Sequence, residues 1–115
     1  MDDDTTPHWL GVLTLRPDLR DLAVWSDADR AAVGAHFAEL QRLVAGGIVL
    51  LAGRTDEIGP NGWMAEDTLG IVVFAAPDRE AAEALMAADA AVEAGVMRVK
   101  VHAFQVAAER TPPRP

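Results

Sequence analysis

Few side chains in this sequence could take part in covalent or acid–base chemistry. There is no cysteine, which excludes disulfides, thiolate nucleophiles and cysteine-based zinc sites. Ser26 is the single serine, so a serine triad has little support. The three histidines, His8, His36 and His102, show none of the spacings typical of metal sites. No glycine-rich phosphate loop is present, and we therefore expect neither a metal nor a cofactor.

Charged and aromatic residues near the middle and the end of the chain are candidates for ligand binding. Arg98, Lys100 and His102 alternate along a predicted C-terminal strand and so share one of its faces. They could recognise an anionic or phenolate ligand; we favour the alternative, that they are charges of a dimer interface or sheet edge. Trp63 stands in a long polar loop, where it could close over a ligand or simply anchor the loop.

The composition limits the class of protein. A chain of 115 residues, half of them hydrophobic, is expected to form one domain with a modest core. Its net charge of −8 disfavours binding to nucleic acid. No apolar run approaches the roughly 20 residues that a bilayer requires, and the acidic start is unlike a signal peptide. These features predict a soluble, cytoplasmic protein.

The hydrophobic patterns predict the element order β-α-β-β-α-β. A helix is expected to begin at the N-cap Ser26, which has Asp29 three residues later in an approximate capping box. This order is typical of an α+β, ferredoxin-like fold with a four-stranded antiparallel sheet and both helices on one face. The strands are predicted at residues 8–15, 48–52, 68–74 and 97–106, the helices at 26–45 and 78–88, loops at 17–25 and 53–67, one domain at 8–107, and flexible tails at 1–7 and 108–115.

The strand at residues 8–15 is apolar on both of its faces. Helices on one side of the sheet account for only one of those faces. The simplest cover for the other face is a second copy of the chain, which predicts a homodimer.

Several stretches, in order and spacing, resemble the YciI-like (YCII-related) family over about residues 9–106. They are Ala35 to Leu40 (AHFAEL), Gly47 to Gly53 (GIVLLAG), Glu80 to Ala82 (EAA) and Asp89 to Val96 (DAAVEAGV). The resemblance implies a fold of the dimeric α/β-barrel type. The chain departs from the family pattern at Arg54, Ala90 and Ala103, where proline is common, and the loss beside Asp89 bears most directly on the site.

The family's proposed active site has a histidine and an aspartate, which correspond to His36 and Asp89. In the predicted topology His36 lies ~13–14 Å above the end of the first helix and Asp89 lies ~16–17 Å above the start of the second, at 1.5 Å per residue. The two should therefore meet at similar heights. An aspartate bonded to one imidazole nitrogen fixes the tautomer and leaves the other nitrogen as a base; a pair that only ties two helices together is the structural alternative.

Three functions remain open at this stage. Related muconolactone-isomerase-like and dehydrochlorinase-like folds imply lyase or isomerase chemistry on oxidised aromatic or lactone substrates, with His36 as general acid–base and Asp89 orienting it. The alternative is a non-catalytic module that binds a small molecule. A third interpretation is a structural dimer that recruits another protein.

Overall fold

The computed structural model describes residues 6–60 and 62–110. The first strand is followed by two short 3-10 turns, at Pro17–Arg20 and Leu22–Val24, before the first helix. The elements are β1 (His8–Leu15), α1 (Asp27–Ala45), β2 (Val49–Arg54), β3 (Gly70–Ala75), α2 (Arg79–Ala87), α3 (Ala90–Glu93) and β4 (Met97–Phe104).

The four strands form one antiparallel sheet in the order β2-β3-β1-β4. β1 lies in the interior, and Trp9 is opposite Phe74 of β3 and Ala103 of β4. The helices pack against the face that carries Trp9 and Phe74, and the side chain of Met86 in α2 lies next to Gly11 of β1. The expected α+β ferredoxin-like fold is confirmed.

The core lies between this face of the sheet and the helices. Phe74 and Ala82 are fully buried at its centre, and the indole Nε1 of Trp9 donates to the carbonyl of Ala76 at 3.0 Å. Burying large apolar side chains in this way contributes roughly 1.5–3 kcal/mol each. The buried members are Trp9, Leu13, Val49, Val72, Phe74, Ala76, Ala82 and Met86.

A second, smaller cluster lies beside the main core and holds the segment around α3. Leu19, Ala91 and Val96 are essentially inaccessible to solvent. The backbone amide of Arg16 also donates to the carbonyl of Val96 at 2.8 Å, which links the end of β1 to the residue before β4. These contacts fix the start of α3 against the 3-10 turn that follows β1.

The local sequence explains where α1 begins and which residues it buries. Ser26 and Asp29 form a full capping box, with both reciprocal hydrogen bonds at 3.0 Å. The apolar side chains of this helix, in contrast, are buried only in part. His36 is its single fully buried residue, while Phe37 and Val44 are about half exposed.

Three details of the element predictions were wrong. The segment 17–25 was expected to be a loop and contains two 3-10 turns, because Pro17 and the Asp21 side chain each start a turn. The short helix α3 was not expected. β1 has its predicted limits, whereas the other three strands begin or end one or two residues from theirs. Parts of both predicted tails, residues 1–5 and 111–115, lie outside the described residues.

The sheet face opposite the helices, here called the open face, has an apolar centre. Its register places Leu10 and Val12 of β1 beside Val73 and Ile71 of β3, and Leu51 of β2 next to Val73. Leu51 is 58 % exposed.

No helix among the described residues is long and apolar enough to cross a membrane.

Candidate functional site

The Asp89 side chain is held at the start of α3. Asp89 is the N-cap of this helix, and its Oδ2 accepts from the backbone amides of Ala91 and Val92 at 2.9 and 3.2 Å. Such a cap satisfies amides that have no partner within the helix. Since Ala91 is fully buried against its neighbours, the carboxylate has a fixed position and a fixed orientation.

The second oxygen of this carboxylate binds His36. The distance from His36 Nδ1 to Asp89 Oδ1 is 2.6 Å, and the two residues are only 4 % and 6 % exposed. α1 therefore supplies the imidazole and the α2–α3 junction supplies the carboxylate. The expected proximity of these residues is observed.

The electrostatics of the pair determine which atom carries the proton. Burial alone raises the pKa of Asp89, but hydrogen bonds from His36 and from the amides of Val92 and Ala91, together with the charge of protonated His36, outweigh it. The pKa of Asp89 is thus lowered from its ordinary value of 3.8. Because an ionised carboxylate only accepts hydrogen bonds, Nδ1 of His36 is the donor and Nε2 is the nitrogen left for a ligand.

His36 forms part of the wall of a pocket of about 340 Å³. This volume lies at the small end of the range found for ligand sites. Most of the wall is apolar. The lining residues are Leu13, Thr14, Leu15, Arg20, Trp25, Val33, His36, Phe37, Ala52, Gly53, Arg54, Trp63, Met64, Ala65, Glu66, Thr68, Gly70 and Met97.

Comparison with protein-family models identifies one family. The model of the YCII-related domain matches residues 12–105. The chain belongs to the YCII-related family. A search of curated proteins gave no significant match.

The YCII-related match includes the second half of β1, the whole of β2, β3 and β4, both residues of the His36–Asp89 pair and the whole pocket wall. It includes Ala90, the position that follows Asp89 and is commonly proline in the family pattern. Asp89 nevertheless has the extended backbone, with φ −58° and ψ 136°, and still caps α3. Ala90 at the first position of this helix is therefore compatible with the pair.

The predicted ligand-binding residues of this YCII-related domain fall on two sides of the sheet. Trp63 lines the pocket that contains His36. Arg98, Lys100 and His102 do not; they are exposed on β4, opposite Thr14, Val12 and Leu10, and so project from the open face. The structure does not bring them together with His36, and their role in binding stays a prediction.

Sequence analysis missed three charged residues of the pocket, Arg20, Arg54 and Glu66, as candidate site residues. Arg20 ends the first 3-10 turn, and Arg54 ends β2, where its sequence position indicated only a departure from the family pattern. Arg20 and Arg54 are far apart in the sequence, and only the folded chain brings both of them to the same pocket. Trp25 also lines the pocket and donates from Nε1 to the carbonyl of Leu19 at 2.6 Å.

Among the described parts of the chain, no group of three histidine, aspartate or glutamate side chains is placed to hold a metal ion.

Proposed function

We propose that this protein is a cofactor-independent enzyme that acts on a small molecule in the pocket beside His36. His36 is the general acid–base, and Asp89 orients it. The observation that carries the proposal is the buried 2.6 Å bond from His36 Nδ1 to Asp89 Oδ1 at the wall of the pocket. A positioned imidazole contributes typically 10²–10⁴-fold to the rate of such reactions.

The arrangement supports proton transfer through Nε2. When Nε2 accepts a proton, the resulting imidazolium lies next to an ionised carboxylate that is already held by two backbone amides. The positive charge is thus stabilised without movement of the protein. The apolar wall limits access of water to the transferred proton.

The reaction class that fits one acid–base residue is isomerisation or elimination. Nε2 takes a proton from a carbon that is activated by a neighbouring carbonyl, and the electron pair moves toward that carbonyl. His36 then returns the proton to another carbon, which gives an isomer. Alternatively a leaving group departs with its bonding pair, which gives a lyase reaction. Oxidised aromatic compounds and unsaturated lactones contain such carbons.

A panel of unsaturated lactones and cyclic ketones in D₂O tests this function. Hydrogen–deuterium exchange or turnover, followed by ¹H NMR, is expected to fall at least about 100-fold in His36→Gln. His8→Gln is the matched control, because His8 starts β1 and does not line the pocket. Exchange or turnover that survives His36→Gln contradicts the assignment.

A non-catalytic pocket is the second candidate, and the mostly apolar lining favours it. Binding then needs shape and burial of apolar surface rather than proton transfer. This candidate predicts ligand-induced stabilisation that is equal in wild type and His36→Gln, without turnover in either protein.

The protein is further proposed to form a homodimer through the open face. The apolar centre of that face, with Leu10, Val12, Ile71 and Leu51, supports this proposal, because burying it removes apolar surface from water. Arg98, Lys100 and His102 would then lie at the margin of the interface, as polar residues commonly do. A cytoplasmic location stays a prediction.

A further inference from the structure

The charges that line the pocket differ in sign from the protein as a whole. The chain has a net charge of −8, yet the ionised side chains of the pocket wall are Arg20, Arg54 and a single acid, Glu66. A cleft that concentrates positive charge on an acidic protein attracts anions selectively. This contrast bears on the ligand that the pocket accepts.

The two arginines form only weak ion pairs with neighbouring acidic side chains. Arg54 contacts Asp56 at 3.3 Å and Arg20 contacts Glu66 at 3.8 Å. The acid side chains are 83 % and 87 % exposed, whereas the arginines are 47 % and 34 % exposed. Ion pairs with such exposed partners contribute little to stability, so a ligand can replace them at little cost.

The guanidinium of Arg54 also has donors to spare. Within the described residues its contacts, with Asp56 and with the carbonyl of Thr55 at 3.4 Å, both use Nη1. A guanidinium has five N–H donors in a planar fork that matches a carboxylate. Arg54 can therefore bind a carboxylate in a bidentate manner and keep its place at the end of β2.

The rest of the wall selects a flat, apolar body. Trp25, Trp63 and Phe37 supply aromatic surface, and Met64 and Met97 supply polarizable side chains that adapt to ring edges. We infer that the pocket takes a small, flat, unsaturated carboxylate, with its ring between the aromatic residues and its carboxylate on Arg54 and Arg20. This inference rests on the proposed function, because it names the substrate class of that same site.

Binding of trans-cinnamate and its neutral amide, cinnamamide, tests the inference. Titrations followed by ¹⁵N–¹H NMR are expected to move the indole signals of Trp25 and Trp63 but not that of Trp9, which is buried in the main core. We expect cinnamate to bind at least about tenfold more tightly than cinnamamide to the wild type, and higher salt to weaken that preference.

The preference should depend on the pocket arginines alone. In the double variant Arg20→Gln/Arg54→Gln the two affinities are expected to agree within about threefold, and Arg54→Gln alone should have an intermediate effect. Arg42→Gln is the matched control, because Arg42 forms a surface ion pair with Glu39 at the same 3.3 Å distance and does not line the pocket. Thermal melting establishes that each variant is folded.

Three results overturn the inference: equal affinities for the acid and the amide, a preference that survives the double variant, and no binding of either probe up to about 10 mM. His36→Gln is expected to keep the preference, and loss of it there also overturns the inference, since the anion would then be held by His36. None of these results depends on proton transfer, so they are separate from failure of the proposed acid–base chemistry.

Discussion

At the scale of single residues, Asp89 carries out two tasks with its two oxygens. Oδ2 caps α3 and Oδ1 accepts from His36. An asparagine cannot hold the same tautomer, because with its oxygen on the α3 amides its NH₂ group faces His36 Nδ1, which can accept that hydrogen bond only without its proton. The carboxylate, rather than a residue of the same shape, is therefore required.

Asp89→Asn is expected to destabilise the protein by about 1–3 kcal/mol near neutral pH, because the charge-assisted hydrogen bonds of the buried carboxylate are lost. The folded-state pKa of Asp89 is lowered, so its contribution is complete above the ordinary value of 3.8 and is lost as the pH falls below it. Urea denaturation of the wild type and Asp89→Asn from pH 7 to about pH 3 should show a difference in the free energy of unfolding that narrows below pH 3.8. A difference that stays constant down to about pH 3 contradicts this prediction.

The residue scale also shows what the sequence could and could not predict. The resemblance to the YCII-related family indicated His36 and Asp89 as partners, and helix rise and strand order then placed them at one height. The cap that holds Asp89 was not, since a four-residue helix such as α3 leaves almost no periodic signal. The pocket arginines were not predictable either, because they come from elements that are far apart in the chain.

At the scale of elements, the α2–α3 junction positions the site. α2 ends at Ala87, Asp89 takes the extended conformation, and α3 starts at Ala90. The small cluster of Leu19, Ala91 and Val96 then holds α3 in place. Packing of α3 thus fixes the position of the Asp89 carboxylate, and the buried face of α1 fixes the position of the His36 imidazole.

Ala90→Pro is expected to be tolerated and to stabilise the protein by about 0.4–1 kcal/mol. Residue 90 is the first position of α3, where proline fits, and the φ and ψ of Asp89 are those favoured before proline. Ala91→Pro is the control: it removes an amide that donates to Asp89 and should destabilise by about 1–3 kcal/mol. Urea denaturation compares the two variants, and destabilisation by Ala90→Pro contradicts the assigned start of α3.

Most of the element order followed from the sequence because its signals are local. The capping box at Ser26 and Asp29 and the glycines after α1 marked helix ends correctly. The spacing of apolar residues along α1 predicted less accurately which of its side chains are buried. Phe37 has the right spacing for the core but stands at the pocket edge, where part of its ring remains in solvent.

At the scale of the whole molecule, the open face is the feature that a single copy leaves unexplained. Leu51→Glu is expected to weaken the proposed homodimer strongly, because it places a charge in an apolar interface. Val44→Glu on α1 is the control, since Val44 is similarly exposed but belongs to a helix that packs on the other face of the sheet. Sedimentation equilibrium should show a dimer for wild type and Val44→Glu and a monomer for Leu51→Glu. A monomeric wild type, or a dimer that Leu51→Glu leaves intact, contradicts the proposal.

The central claim is that Asp89 fixes His36 with its proton on Nδ1 and leaves Nε2 as the base. Long-range ¹⁵N–¹H NMR of the histidine ring measures this directly at a pH where the imidazole is neutral. We predict a protonated Nδ1 and an unprotonated Nε2 for His36 in the wild type, and a shift of the proton from Nδ1 to Nε2 in Asp89→Asn. A proton on Nε2 in the wild type, or a ring that does not respond to Asp89→Asn, would contradict it.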